Sequence, residues 1–227
     1  MHGQSSLSAI DAITGRRSIR RYLQKPVPEE TLRAILEVSA RAPSGTNSQP
    51  WFVHTVTGAA RTRVVEAVTE AAKANNRIED YPYMPKPLPE PYKSRRRKVG
   101  FDLYALYGIA KDDMEARNAA GLRNYEFFGA PVGLFFFMER WFQYGSWLDS
   151  GMFCQNVMVA ARAFGLETCP QQAWCDFAHI IRPLLGVPDN LVLMTGMSLG
   201  YADPSAPENT LVTEREPVDA FTTFHSG

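Results

Sequence analysis

The fold of this chain is most constrained by an uninterrupted apolar run, "APVGLFFFM", at residues 130–138. A strand with one face in water alternates apolar and polar side chains, and this run does not alternate. It therefore predicts a strand that is buried on both faces. The segment "NLVLMTGMSLGY", residues 190–201, predicts a second buried strand. A sheet of such strands requires helices that cover both of its faces.

Helical patterns supply that cover. The longest, "SWLDSGMFCQNVMVAARAFGL" at residues 146–166, is apolar nearly all round and predicts a central helix. Residues 27–43 predict another helix, because Pro28 and the glutamates after it suit a first helical turn. The remaining predicted elements are an N-terminal helix with Leu7, Ile10 and Ile13 on its apolar face, helices over 60–76 and 92–109, and a strand over 51–58. Together these elements predict an α+β fold with helices flanking a central mixed sheet.

Two segments do not follow these patterns. The stretch "YPYMPKPLPEPYK" holds five prolines between Pro82 and Pro91, which excludes a regular helix or a central strand. We interpret residues 73–98 as a proline-rich and basic excursion from the surface of a single domain that spans residues 1–227. The last segment, 201–227, has few periodic apolar residues and predicts an extended tail that lies on another surface, such as a second subunit.

Charge and cysteine content exclude several classes of protein. Lys plus Arg and Asp plus Glu both number 24, so the chain lacks the basic excess of a general nucleic-acid binder. No apolar run approaches the ~20 residues that span a bilayer, and the N-terminus does not resemble a signal peptide. The three cysteines suggest buried thiols rather than disulfides, and the four scattered histidines suggest no metal site. We therefore expect a cytoplasmic protein without membrane or nucleic-acid partners.

Positive charge is nevertheless concentrated in "TGRRSIRRY", residues 14–22. Arginine guanidinium groups match phosphate geometry with two parallel hydrogen bonds, and a serine hydroxyl adds a donor. The cluster indicates either a solvated basic face or a site for a small anionic ligand.

Two further loops have the composition of a binding site. "APSGTNSQPW", residues 42–51, combines small residues with five polar side chains between a predicted helix and strand. "LETCPQQAW", residues 166–174, follows the central helix, and Pro170 leaves the next amides free to face a ligand. Taken singly, the first loop is equally compatible with an ordinary turn. The second is compatible with a helix stop that has no binding role.

In combination, the motifs resemble those of the FMN-dependent nitroreductase family. They are Arg-Arg-Ser-x-Arg after an N-terminal helix, Pro-Ser-x-x-Asn-x-Gln-Pro-Trp about 25 residues later, the proline turn, and a C-terminal Gly-Tyr-x-x-Pro followed by an arginine. The resemblance runs from Ala9 to Phe224. The segments from residue 123 onward are most similar to the nitrobenzoate and dinitroaniline reductase branch.

The resemblance implies a nitroreductase-like FMN-binding fold and assigns residues to the cofactor. The first motif would hold the ribityl phosphate and the N1/O2 edge of the flavin, and the second would come from the partner in a homodimer. The proline turn would place a backbone amide near N5. The cofactor-binding residues implied are Arg16, Arg17, Ser18, Arg20, Pro43, Ser44, Asn47, Gln49, Pro170, Gln171, Gln172, Gly196 and Arg215.

The resemblance also implies the reaction. FMN would take hydride from NAD(P)H and pass electrons to small aromatic acceptors in a ping-pong cycle, reducing nitroaromatics and possibly quinones. No side chain need be catalytic, since the chemistry would occur at flavin N5; substrate contacts are expected from Thr46, Tyr83, Tyr92 and Phe128. The absence of a GxGxxG motif argues against a Rossmann dehydrogenase. The alternatives are a flavin-dependent reductive dehalogenase of halophenols and a flavin-binding module without turnover.

Overall fold

A computed structural model describes residues 7–226; residues 1–6 and 227, which the single-domain prediction includes, lie outside that range. The helices are α1 Ala9–Thr14, α2 Glu29–Ser39, α3 Gly58–Lys73, α4 Tyr92–Leu106, α5 Met114–Leu122, α6 Tyr144–Ala163 and α7 Ala178–Leu185. The strands are β1 Phe52–Val56, β2 Val132–Glu139, β3 Glu167–Gln171 and β4 Leu191–Gly200. Each helix and strand predicted from the sequence is present. The helices α5 and α7 and the strand β3 were not predicted.

The four strands form one sheet in the order β1-β2-β4-β3, and all three pairs are antiparallel. The prediction of a mixed sheet is therefore wrong for these strands. β2 and β3 do run in the same direction, with α6 as their crossover, but β4 inserts between them antiparallel to both. In the described residues, parallel pairing is confined to an isolated bridge between Ser18 and Thr168.

The sheet is buried on both faces, as the apolar run predicted. Every residue of β2 from Val132 to Met138 is buried. Phe135 and Phe137 belong to the core on one face, while Leu134 and Phe136 belong to the core on the other. This division follows from the two-residue period of a strand. The helix α6 packs on the second face together with α2.

The two edges of the sheet differ. The outer edge of β3 is covered by the basic segment, because Ile19 N donates to Thr168 O at 3.1 Å beside the Ser18 bridge. The outer edge of β1 has no partner strand among residues 7–226. A groove of ≈ 610 Å³ lies between β1 and α2. Such an edge is a template for another extended segment.

Two predicted apolar helix faces are incompletely covered by the chain itself. On α1, Ile10 is 72% exposed, and the buried residue of this helix is Ala12. On α6, Phe153 and Val157 are buried, whereas Leu148 is largely exposed. The prediction that α6 is central is thus correct for only one of its faces, because the elements that surround it do not enclose the other.

The predicted excursion divides at Tyr92. Residues 74–91 are irregular, and the basic residues 92–98 form the first half of α4. Asp80 holds the irregular part to the sheet, because its carboxylate accepts from Arg140 at 2.6 Å, Arg182 at 2.8 Å and Leu193 N at 2.9 Å.

Within residues 7–226, every helix is too short or too polar to pass through a bilayer.

The tail is fastened to its own chain through residue 216. Glu216 pairs with Arg95 of α4 at 2.7 Å, and Glu214 pairs with Lys98 at 3.3 Å. Beyond this point, Val218, Phe221 and Phe224 expose their apolar side chains. The structure of one chain therefore contains an extended tail but does not show it wrapped around a partner.

Candidate functional site

The basic segment and the tail enclose one cavity. Its volume is ≈ 430 Å³, and its lining includes Arg16, Arg17, Ser18, Arg20 and Arg215. The structure thus brings together the whole first motif and the C-terminal arginine, although about 195 residues separate them in the sequence. Four guanidinium groups around one small cavity favour an anionic occupant.

These arginines have no acidic partner. Among residues 7–226, none of the four forms an ion pair, and Arg215 donates to the carbonyl oxygen of Glu214 and to Thr213. Glu167 is the acid whose pKa is affected by Arg16 and Arg17, and it is paired with Arg162 at 3.1 Å. Burial raises the pKa of Glu167, and Arg162, Arg16 and Arg17 oppose that rise. The cavity therefore keeps a net positive charge.

Two tail residues fix the backbone of the basic segment. The Asn209 side-chain oxygen accepts from Arg20 N at 2.8 Å and Arg21 N at 3.2 Å, and its amide nitrogen donates to Arg21 O at 2.8 Å. Glu208, which is only 3% exposed, accepts from Arg21 at 3.0 Å and from Arg123 at 3.2 Å. Arg123 in turn donates to Arg20 O at 2.8 Å. This network holds the arginines of the first motif in place.

The charge of Glu208 is maintained despite its burial. Burial alone would raise the pKa of this carboxyl, but hydrogen bonds from its own backbone amide, Arg21 and Arg123 lower it overall. The residue is therefore ionised at neutral pH. It pairs with two arginines that support the cavity without lining it.

The proline turn lies at the end of β3, next to the basic segment. Pro170 is exposed, and Gln171 is buried, with its side chain donating to Asn124 O at 2.7 Å. Gln172 donates to the Tyr81 hydroxyl, which itself donates to Met194 O at 2.5 Å. Burial raises the pKa of Tyr81 well above its usual range, so this hydroxyl stays protonated. Gln172 is therefore held in one position.

Gly196 pairs with Gln171 across the sheet but is fully buried. A Cβ atom at this position would overlap the indole ring of Trp174. Trp174 also stacks on Phe127 at 4.3 Å. The absence of a side chain at Gly196 thus has a packing reason that is independent of any ligand.

The second predicted motif lies elsewhere. Its loop is exposed and irregular, with positive φ at Thr46, Asn47 and Gln49. Gly45 N donates to Asp149 near the N-terminal end of α6 at 3.1 Å. The helix α1, which leads into the basic segment, meets the opposite end of α6, where Arg162 donates to Asp11 O at 2.5 Å. At 1.5 Å per residue, these two attachment points are roughly 20 Å apart along α6.

The predicted substrate contacts are dispersed. Tyr83 and Tyr92 are 61% and 56% exposed, and the Tyr92 ring lies 5.6 Å from the Arg95 guanidinium. Thr46 lies in the exposed second motif, where its hydroxyl donates to Gly45 O at 2.7 Å. Phe128, in contrast, is only 5% exposed and belongs to the hydrophobic core. Little of the Phe128 side chain is accessible in a single chain, and its contact with a substrate stays a prediction.

The comparison with known families agrees with this arrangement. Residues 13–201 match the model of the Nitroreductase family. The chain belongs to the nitroreductase family.

Relatives of the chain match it over almost its full length. Nitrobenzene nitroreductase from Ectopseudomonas oleovorans is 39% identical over 216 residues, which cover 94% of this chain and 95% of that protein. The crystal structure of the FMN- and NADPH-dependent nitroreductase NfnB from Sphigopyxis sp. strain HMH has a TM-score of 0.94 at 37% identity, covering 97% of this chain and all of that one. FMN-dependent NfnB from Mycobacterium smegmatis, solved with NADPH, has a TM-score of 0.92 at 35% identity, covering 96% and 98%.

Sequence reasoning missed the residues that support the site. Asn209, Glu208 and Arg123 touch the backbone or the neighbours of the first motif rather than the cavity. The segment "PENT", residues 207–210, looks like an ordinary polar turn, and nothing in its composition indicates that its glutamate is buried. Only the fold brings these residues to residues 20–21.

Proposed function

We propose that this protein is an FMN-dependent NAD(P)H oxidoreductase that reduces small nitroaromatic compounds. The observation that carries the proposal is the cavity lined by four arginines without carboxylate partners in the described chain. FMN carries a phosphate dianion, which fits such a cavity. The family and the FMN-dependent relatives above support the same assignment.

The proposal gives each part of the site a role. Arg16, Arg17, Ser18, Arg20 and Arg215 would bind the phosphate and the N1/O2 edge of FMN. Pro170, Gln171 and Gln172 would lie against the ring, and the fixed position of Gln172 limits where that ring can lie. Gly196 acts indirectly, because its lack of a side chain leaves room for the Trp174 ring beneath the turn. Tyr83 and Tyr92 remain proposed substrate contacts, because their rings are exposed.

FMN, when bound, supplies hydride transfer at N5 between NAD(P)H and an acceptor. The chain's part is to hold the cofactor, to keep positive charge near N1/O2, and to admit donor and acceptor in turn. No side chain is required to donate or accept a proton at the reacting centre. The thiols nearby do not suit nucleophilic chemistry, since burial raises the pKa of both Cys169 and Cys175.

We further propose that the protein is a homodimer whose site includes the second motif of the partner. Within one chain, the helix that leads into the first motif and the loop of the second motif contact α6 at points roughly 20 Å apart, so the two motifs do not frame one flavin ring. A second copy would bring Pro43, Ser44, Asn47 and Gln49, together with Thr46, to the cavity. The exposed apolar residues Ile10 and Leu148 favour such a contact.

The tail is the proposed arm of this dimer. Val218, Phe221 and Phe224 are exposed on their own chain, and the edge of β1 beside its groove offers unpaired backbone groups. An extended segment from the partner would satisfy these groups and bury the three side chains.

We place the reaction in the cytoplasm. Cys154, Cys169 and Cys175 are free thiols, which suits a reducing compartment. The proposed donor, NAD(P)H, is also found there.

The direct test is the absorbance spectrum of protein reconstituted with FMN and treated anaerobically with NADH or NADPH. The proposal predicts flavin bands that bleach with one or both donors and return when 4-nitrobenzoate or nitrobenzene is added. Product analysis should give the hydroxylamine. Protein that does not retain FMN would refute the cofactor assignment. Bound flavin that never bleaches would favour the non-catalytic module, and halide release from a halophenol without nitro reduction would favour the dehalogenase.

Subunit complementation tests the shared site. Arg16→Gln and Asn47→Ala variants should each lose FMN affinity as homodimers. Mixing them should restore one intact site in each heterodimer, so the mixture should regain up to a quarter of wild-type activity. A mixture no more active than its components would contradict a site built from two chains.

A further inference from the structure

The helix α4 carries charged residues on two opposite sides. Arg95, Lys98 and Asp102 face the tail, where Arg95 pairs with Glu216 and Lys98 pairs with both Asp102 at 2.8 Å and Glu214. With 3.6 residues per turn, residues 93, 96–97, 100–101 and 104 project from the other side. That second side is directed away from the tail and therefore from the cavity of the four arginines.

The second side of α4 borders a groove of ≈ 510 Å³. We call it the α4–α5 groove. Its cationic lining residues are Lys93, Arg96, Arg97 and Arg117, and the rest of its lining is Pro87, Leu88, Gly100, Phe101 and Tyr104. The lining therefore combines positive charge with apolar and aromatic surface and contains no carboxylate.

The cations of the groove gather around its two rings. The guanidinium of Arg97 lies 5.5 Å from the centre of the Phe101 ring, and Lys111 Nζ lies 5.2 Å from it. The Arg117 guanidinium lies 5.8 Å from Phe101 and 4.9 Å from Tyr104. The rings attract these cations through their negative faces, which partly offsets the repulsion between like charges.

Within residues 7–226, the acids near this cluster do not form ion pairs with it. Lys93, Arg96, Arg97, Lys111 and Arg117 form no ion pair there. Glu90, whose charge is felt by Lys93 and Arg97, is engaged by the Ser94 hydroxyl at 2.6 Å and by the Ser94 amide. Asp113 accepts from Ala116 N at the start of α5. The excess of positive charge is therefore local to the groove.

Arg117 adds a second, independent observation. Its Nε and Nη2 atoms are buried and have no hydrogen-bond acceptor. Leaving such donors without an acceptor is unfavourable, and more so when the group is charged. An anion in the groove beside Arg117 would supply the missing counter-charge.

We propose that the α4–α5 groove is a second binding site, separate from the flavin cavity, for a small aromatic carboxylate. The carboxylate would accept hydrogen bonds from Arg117 and Arg97, and the ring of the ligand would pack on Tyr104, Phe101 and Leu88. The aromatic and apolar lining distinguishes this site from one for an inorganic anion. The proposal does not depend on FMN binding, because no residue of the flavin cavity lines the groove.

The test is a calorimetric titration of the FMN-saturated protein with 2-naphthoate, which carries no reducible group. Binding at the flavin is followed separately through perturbation of the flavin spectrum. The wild type should bind naphthoate at a site that does not perturb the flavin. The Arg97→Gln/Arg117→Gln variant should bind it there about 10- to 100-fold more weakly, which corresponds to about 1.4–2.8 kcal/mol, because it removes two cations of the groove. An Arg63→Gln/Lys73→Gln variant removes two exposed cations from α3 and should bind it like the wild type.

Two further measurements keep the test independent of whether the Arg97→Gln/Arg117→Gln variant folds. Phe101→Leu retains every charge and should still weaken naphthoate binding. In the wild type, sodium phosphate should compete poorly with naphthoate, and uncharged 2-naphthol should bind weakly. The proposal is overturned if the wild type shows no naphthoate site apart from the flavin, if the arginine variant binds it unchanged, or if phosphate binds as tightly as naphthoate.

Discussion

At the scale of single residues, the structure separates groups that line the cavity from groups that only shape it. Arg16 and Arg215 reach the cavity, whereas Gly196 lies under Trp174 and Phe128 lies in the core. Both of the latter were predicted to contact a ligand. A sequence shows that a glycine or a phenylalanine stands at a position but not which neighbour fills the space beside it.

Gly196 provides a test of that distinction. The Gly196→Ala variant should lower the free energy of unfolding by about 1–3 kcal/mol, because the new methyl group must displace the Trp174 ring. FMN affinity per folded molecule should change little. Thermal denaturation and flavin titration measure the two quantities. Gly121→Ala on α5 is the control, since nothing lies within 4 Å of its added methyl group and stability should not fall. Unchanged stability of Gly196→Ala with lost FMN binding would show a direct ligand role.

Glu208 makes stability depend on pH. The pKa of Glu208 is lower in the folded chain than in the unfolded chain. Its contribution to the free energy of unfolding is therefore fully present above the unfolded pKa of about 4.3 and is lost as the pH falls through the folded pKa. At pH 7, Glu208→Gln should therefore lower the free energy of unfolding by about 1.5–3 kcal/mol. The difference from the wild type should narrow below about pH 4. Denaturant unfolding at several pH values measures this, and a difference that is constant from pH 7 to pH 3 would contradict it.

At the scale of elements, the sequence predicts the features that depend on the periodicity of apolar residues. It misses the features that depend on pairing between distant strands. The bounds of β2 and α6 follow from apolar patterns that any buried strand or helix must show. The insertion of β4 between β2 and β3 depends on contacts between distant segments, and it makes the sheet antiparallel. The short strand β3 contains Pro170 and three polar residues, so its local composition resembles a turn. Its strand character comes from pairing with β4.

Asp80 anchors the irregular segment 74–91 to the sheet. Asp80→Asn should lower the free energy of unfolding by about 3–5 kcal/mol, because it leaves the largely buried Arg182 without its principal counter-charge. Hydrogen exchange of residues 78–84 should also accelerate. Glu29→Gln, which breaks the exposed pair with Arg33, is the control and should change stability by no more than about 1 kcal/mol. Equal effects of the two substitutions would contradict the anchoring role.

At the scale of the whole molecule, the family resemblance identified from the sequence supplied most of the proposed site. It joined three loops that are individually unremarkable, and the fold places the first motif, the proline turn and Arg215 together. The second motif remains apart in a single chain. In the proposed dimer, a second copy would cover the exposed faces of α1 and α6 and the end of the tail.

The end of the tail tests the dimer. A chain that stops at Glu216 keeps its ion pair with Arg95 but loses Val218, Phe221 and Phe224. Burial of these side chains against a partner contributes about 1.5–3 kcal/mol each, so their loss should raise the dimer dissociation constant at least 100-fold. Sedimentation velocity measures it, with Met114→Ala as an exposed apolar control. Equal dissociation constants for the full and shortened chains would contradict a tail that embraces the partner.

The central claim is that the cavity of arginines binds the phosphate of FMN. The most direct measurement compares the affinities of FMN and riboflavin, which lacks the phosphate, for the wild type and for Arg16→Gln/Arg215→Gln. The wild type should bind FMN at least about 100-fold more tightly than riboflavin, since charged hydrogen bonds contribute roughly 1.5–3 kcal/mol each. The variant should lose most of this preference through weaker FMN binding, while its affinity for riboflavin changes little. Equal affinity of the wild type for the two flavins, or a preference that survives in the variant, would contradict the account.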